Sequence, residues 1–227
     1  MRRLTATLWT DVRLQYRNGF YFATLFVLII SIALLRAVPR ELLSSLLPVV
    51  IIGNVLINAF YFAGGLLLLE RIEGTLLAQA VTPLHPGEYL ASKLVTLTAV
   101  SLVESLVLAA AVLGLHAWLA PMAVGIALTA ALFCLVGIGV VVRYESINEF
   151  LLPSVLYSFV LCLPLLGVLG VAPGAWYWLH PLQGAVRLMQ IEPPLTLMGA
   201  GLMLLYPLAC AAPAYVWCRR ALIGARA

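Results

Sequence analysis

The sequence predicts an all-α integral membrane protein, and three observations carry the prediction. Hydrophobic residues make up 64% of the 227 and charged residues only 10%, and the mean hydropathy is +1.09. A soluble domain averages roughly 45–50% apolar and about 25% charged, so this chain has too little polar surface to clothe a globule in water. Its apolar residues also fall into six long runs. Each approaches the roughly 20 residues a helix needs to cross about 30 Å of hydrocarbon, and none alternates apolar and polar residues as a barrel strand does. The connections left over hold no soluble domain of useful size, so chemistry that needs one falls to a partner.

Taken in order, the head RRLTATLWTDVRLQYRNGF repeats Leu4, Leu8, Val12 and Tyr16 at near-helical spacing, with Arg13 and Arg17 on another side. This pattern predicts an amphipathic helix over 2–18 lying in the membrane interface, arginines toward lipid phosphates. The alternative is a plain continuation of the first span into water. The first span, about 19–37, is read as retained, because no small-x-small cleavage pattern follows it. Further spans are expected at about 47–69, 94–115, 121–142, 150–171 and 197–218. Pro164 lies in the fifth and Pro207 and Pro213 in the sixth, where neighbouring helices can satisfy the freed carbonyls at a kink. Between these two spans, 172–196 is apolar yet broken by Pro and Gly, and Trp176, Tyr177 and Trp178 favour the headgroup level. A short interfacial or re-entrant element is expected there.

Orientation follows from the basic residues. The head, the second and fourth loops and the tail collect ten Lys or Arg, against three (Arg36, Arg40, Arg187) on the other side. Both termini and the 70–93 loop are therefore expected in the cytoplasm. The net charge of +4 is scattered near span ends and does not imply nucleic acid. Cys134, Cys162, Cys210 and Cys218 have no paired spacing and read as small buried hydrophobes.

The longest passage that water would tolerate is ERIEGTLLAQAVTPLHPGEYLASK, residues 70–93. Glu70 and Arg71 mark the exit from the membrane. Gly74-Thr75 offers a helix start with Thr75 as N-cap, and Leu76 to Val81 can form a short helix. Thr82 must end it, since the residue before Pro83 is pushed away from helical angles. Pro83, Pro86 and Gly87 are expected to form a rigid turn, with Glu88 to Lys93 leading into the third span. A stiff short helix held off the bilayer suits a mechanical contact better than a simple connector.

This run resembles the loop signature of the ABC-2 type transporter permeases, in the matches Glu70-Arg71, Glu73-Gly74-Thr75, Thr82-Pro83-Leu84, Glu88-Tyr89-Leu90 and Lys93. Size and loop together are similar to small bacterial drug-export permeases, including the fluoroquinolone-exporter group. The haem-export permeases of cytochrome c maturation are the nearest rival. The resemblance implies six transmembrane helices with an interfacial head helix and a cytoplasmic coupling helix, in a single permease domain of the bacterial inner membrane. It implies a homodimer or a heterodimer with a second permease, two P-loop ATP-binding subunits that carry ATP and Mg, and an amphiphilic small-molecule substrate moved outward among membrane lipid. Glu70, Arg71, Glu73, Gly74, Thr75, Leu76, Thr82, Pro83 and Leu84 would then form the ATPase-coupling surface. The chain itself has no Gly-Lys-Ser/Thr turn to cradle phosphates; Ala91-Ser92 precede its single lysine, Lys93. A membrane anchoring protein that holds a cytoplasmic partner by the same loop is the reading from another class.

Polar residues within the spans mark a candidate pathway or helix seam. Asn54, Asn58 and Tyr61 share one face of the second span, with the seam the favoured reading for the asparagines. Glu104 lies mid-way along the third span with Ser101 and Ser105 beside it. A bare carboxylate there costs at least about 2.5 kcal/mol, so it must be protonated, paired or facing water, and function and structure stand equally open for it. No HExxH or Gly-x-Ser-x-Gly motif occurs, the one aspartate is Asp11, and His85, His116 and His180 are isolated. No catalytic or metal residue is assigned.

Overall fold

In the computed structural model every element among the described residues is helical. It describes residues 2–76, 84–115, 119–170, 180–190 and 197–226, with side chains for 4–76, 84–115, 119–170, 180–190 and 203–224. Helix α1 spans Arg2–Arg17 and α2 spans Phe20–Arg36. Gly19 joins them at φ +75°, a left-handed value that suits a residue without Cβ. The two axes differ by 64°.

The second apolar run belongs to a much longer rod. Helix α3 (Arg40–Val55) passes through a π-helical turn, Leu56–Tyr61, into α4 (Phe62–Ile72), continuous over 33 residues. The helix therefore begins ahead of the expected span start at 47. Arg40, Glu41, Ser44 and Ser45 look like a loop by polarity, but a helix need not stop where hydrocarbon stops, because its backbone bonds remain internal.

The third span likewise starts early. Helix α5 runs Pro86–Leu113. Pro86 sits at the first helical position, where its missing N–H costs nothing, and the Glu88 carboxylate accepts the His85 backbone N–H at 3.1 Å. Pro86 and Gly87 are thus the first turn of the helix rather than part of a separate rigid turn.

Helix α6 (Leu119–Val141) follows the fourth run closely. Helix α7 (Ile147–Cys162) opens on Ser146, whose hydroxyl accepts the Glu149 N–H at 3.3 Å. Pro164 then starts α8 (Pro164–Val168). Helix α9 (Gln183–Leu188) is short and its Gln183, Gly184, Ala185, Val186 and Leu188 are buried, so this part of the expected re-entrant element sits inside the protein; Trp176, Tyr177 and Trp178 lie outside the described residues. Helix α10 (Leu197–Arg226) carries both Pro207 and Pro213 and continues well past 218.

Among the described residues, four helical stretches (40–72, 86–113, 119–141 and 147–168) are long and apolar enough to cross a membrane, and five if the bent α1–α2 pair counts as one. The chain is a multi-pass membrane protein. Its core centres on α6, which packs on α4, α5, α9, α10 and the π turn. Of α6's most apolar stretch 72% is buried, against 17% for α7–α8, whose Leu152, Val155, Leu156 and Phe159 face outward. In water such a face would be a liability; in hydrocarbon it is ordinary surface. Close backbone approach explains two of α6's glycines: a Cβ at Gly137 would come within 2.6 Å of the Phe60 carbonyl oxygen on the π turn, and one at Gly125 within 2.5 Å of the Ala185 carbonyl oxygen on α9.

Candidate functional site

The 70–93 loop leaves one helix and enters another, and a buried ion cluster fastens both ends. Lys93 Nζ, on the second turn of α5, donates to Asp11 Oδ1 of α1 and to Glu70 Oε1 of α4, each at 2.5 Å. The side chains are 1% exposed for the lysine and 4% for each carboxylate. Charges this deep survive only when paired and further hydrogen-bonded. That condition is met: Ser92 Oγ donates to Asp11 Oδ2 and the Tyr89 hydroxyl to Glu70 Oε2, both at 2.5 Å. Helices α1, α4 and α5 are thereby locked at one point, and the head is tied to both ends of the loop that follows α4.

The residues assigned to coupling divide by where their side chains go. Glu70 is turned inward and is part of the lock, out of reach of any partner. The Arg71 guanidinium donates to the carbonyls of Tyr144 (2.5 Å) and Val142 (3.1 Å), holding the turn between α6 and α7. Glu73 is on the surface and pairs with Arg17 of the head at 2.9 Å. Gly74 closes α4 with φ +69°, its N–H donating to the Arg71 carbonyl at 3.1 Å. Thr75 spends its hydroxyl as a donor to the Glu70 carbonyl at 3.0 Å, Leu76 is buried, and Leu84 packs on the core. Thr82, Pro83 and the expected helix to Val81 lie outside the described residues.

Deeper in the bundle a polar seam joins α1, α2, the second span and α5. Nearest the lock, the Tyr21 hydroxyl donates to Gln15 Oε1 and Gln15 Nε2 donates to Thr96 Oγ1, each at 3.0 Å. Further along, Thr24 Oγ1 donates to Asn58 Oδ1 at 2.7 Å, and Asn58 Nδ2 donates to Glu104 Oε2. Beyond that, Ser31 Oγ and the Asn54 amide meet at 3.2 Å. Tyr61 points elsewhere, its hydroxyl 3.1 Å from Ser158 Oγ of α7. The asparagines thus bond across helices, the geometry of a seam. Ser101 bonds within its own helix, to the Leu97 carbonyl at 2.9 Å. Glu104 Oε1 and Ser105 Oγ are buried without a hydrogen-bond partner among the described residues.

The bend between α1 and α2 leaves an apolar groove of about 640 Å³ against α5, reaching from Trp9 and Leu8 past Leu25 to Val103, Glu104 and Val107. Trp9, Leu25, Val95 and Val103 are more than half exposed along it. The head thus turns a polar side inward and keeps its apolar side on the open groove. Its polar Asp11 and Gln15 face the protein, while Leu8 and Val12 line the groove.

Residues 2–223 match the sequence profile of the fluoroquinolones export permease protein family. The chain belongs to that family. Two relatives, the fluoroquinolones export permease proteins of Mycobacterium tuberculosis strains CDC 1551/Oshkosh and ATCC 25618/H37Rv, are each 34% identical over 216 residues, covering 93% of this chain and 91% of theirs. Those names describe export permeases, in agreement with a transmembrane transport protein. Within this framework, sequence reasoning missed Asp11, Gln15, Tyr89 and Ser92 as a positioned set. The usable signal was Lys93 itself: a single lysine beside an apolar run requires a buried counter-ion.

Proposed function

We propose that the chain is the transmembrane subunit of an ATP-driven exporter that moves drug-like amphiphiles out of the cytoplasm or the inner leaflet. In this reading it is a six-span inner-membrane protein of the ABC-2 type with cytoplasmic termini. It works as a dimer, alone or with a sister permease, and docks two P-loop subunits that hold ATP and Mg. The observation that carries it is the lock of Lys93 on Asp11 and Glu70 at 2.5 Å. A force applied to the 70–93 loop is delivered through buried ion pairs to three membrane helices at once, rather than absorbed by a slack connector. The exposed patch at Ile72, Glu73 and Gly74 is the docking surface, with Arg17 beside it; Glu70 serves by anchoring that surface from beneath. The relatives' names favour drug-like amphiphiles over haem.

Inside-out vesicles carrying the permease and its P-loop partner test this. ATP-dependent accumulation of a fluoroquinolone is expected, with loss of both accumulation and co-purification of the ATPase on Glu73→Lys. Accumulation without any nucleotide-binding subunit, or an ATPase that never co-purifies, would overturn the exporter reading.

A further inference from the structure

We infer that the groove between α1, α2 and α5 is a lateral binding site for a cationic aromatic amphiphile, with Glu104 as the counter-ion for its amine. Three observations point to this class of ligand. First, the groove holds about 640 Å³, within the roughly 300–1,000 Å³ typical of small-molecule sites. Second, its walls are apolar and aromatic, led by Trp9 and Tyr21, and among the described residues no Lys or Arg lines it. An anion would find no partner there, whereas a cation finds an indole face and a carboxyl group.

The third observation concerns Glu104 itself. It is 3% exposed. Its Oε2 accepts from Asn58, whose own carbonyl oxygen accepts from Thr24. Oε1 is left buried with no donor or acceptor among the described residues. Either protonation state leaves that oxygen unmet: a carboxylate lacks a second donor, and a hydroxyl at Oε1 would lack an acceptor. Orphaned buried polar atoms are rare and costly. An ammonium entering along the groove supplies both the donor and the opposite charge, in a medium where a charge-assisted bond is strongest. The aromatic body of the same molecule would lie along Trp9, Leu25 and Val103. The groove opens on the outer surface of the bundle, so a molecule dissolved in the bilayer could reach it sideways. This inference rests on the exporter reading and names where its substrate first binds.

The test uses equilibrium binding to the purified, detergent-solubilised full-length chain, which needs neither ATP nor a partner. The probes are a fluoroquinolone with a free piperazine amine and its N-acetylated derivative, which keeps the carboxyl group and loses only the cationic amine, followed by their own fluorescence. Glu104→Gln keeps an acceptor for Asn58 and removes the charge; it should weaken the amine by about tenfold or more and leave the N-acetyl derivative unchanged. Val103→Trp fills the groove from its exposed side and should weaken both probes. Equal binding of both probes to wild type and Glu104→Gln, an equal loss of both on Glu104→Gln, or no effect of Val103→Trp would each overturn the site. If Val103→Trp spares binding but dissociates a dimer, the groove belongs to a second copy of the chain; if it spares both, to lipid. Either result also overturns the proposal. Vesicle transport separates the two readings: ATP-driven export unaffected by these variants removes only the groove, while charge-selective binding without ATP-driven export removes only the exporter.

Discussion

Replacing Lys93 with Met deletes the one positive charge shared by two buried carboxylates. The cost can be worked from the contacts. Nζ makes two charge-assisted bonds of 2.5 Å, each contributing about 1.5–3 kcal/mol. Among the described residues Asp11 then keeps only Ser92, and Glu70 only Tyr89, as side-chain donors. Removing one partner of a buried ion pair typically costs about 3–5 kcal/mol, so a loss of about 4 kcal/mol is expected for Lys93→Met. The loss comes from stranded acids rather than from a missing side chain, so neutralising the acids should recover it. The triple variant Lys93→Met, Asp11→Asn, Glu70→Gln should return to within about 2 kcal/mol of wild type, as buried charge clusters replaced by neutral groups often do. Unfolding in mixed micelles, titrated with a denaturing detergent and followed by circular dichroism, measures each step. A Lys93→Met loss below about 1 kcal/mol, or a triple variant no more stable than the single one, would refute the reasoning.

Three further outcomes follow from the same structure. Gly137→Ala places a methyl 2.6 Å from the Phe60 carbonyl oxygen, a backbone atom that cannot rotate away; a destabilisation of about 1–3 kcal/mol is expected, read by the same unfolding assay, while wild-type stability would show that the π turn yields. Arg71→Ala releases the Val142 and Tyr144 carbonyls, with a cost of about 2 kcal/mol and faster amide hydrogen exchange over 142–146; unchanged exchange would mean that the guanidinium does not hold that turn. His180, outside the spans, is pushed below its ordinary 6.5 by burial, against a smaller upward pull from the Val160 carbonyl. Because the unfolded chain takes up that proton first, this group's contribution is constant above about 6.5 and turns destabilising as pH falls below it. The melting temperature of wild type should therefore drop more between pH 7.5 and 5.5 than that of His180→Gln, and equal slopes would refute it.

How much of this was readable beforehand depends on whether the determinant is local. Helices α5, α6 and α7 and the break at Pro164 follow from apolar runs and proline chemistry, which each segment carries within itself. The starts of α3 at Arg40 and α5 at Pro86 lie ahead of the expected spans, because polarity marks where hydrocarbon ends and not where a helix does. The apolar stripe of the head is legible from its periodicity, but the partner of its polar side is not. Asp11 finds Lys93 across 82 residues, and no spacing within 2–18 encodes a partner on another helix. For the same reason Asn54 and Asn58 were legible as a polar stripe, yet Thr24 and Ser31, which complete their bonds, were not. The π turn escaped notice too, since nothing in LINAFY differs from an ordinary apolar helix.

Lys93 is the only lysine in the chain, and it is 1% exposed. Consequently the folded protein offers an acylating reagent no side-chain amine whatsoever. Any label that arrives on an ε-nitrogen dates the moment when the head, α4 and α5 came apart, so ordinary amine chemistry becomes a native stopwatch for the opening of this junction.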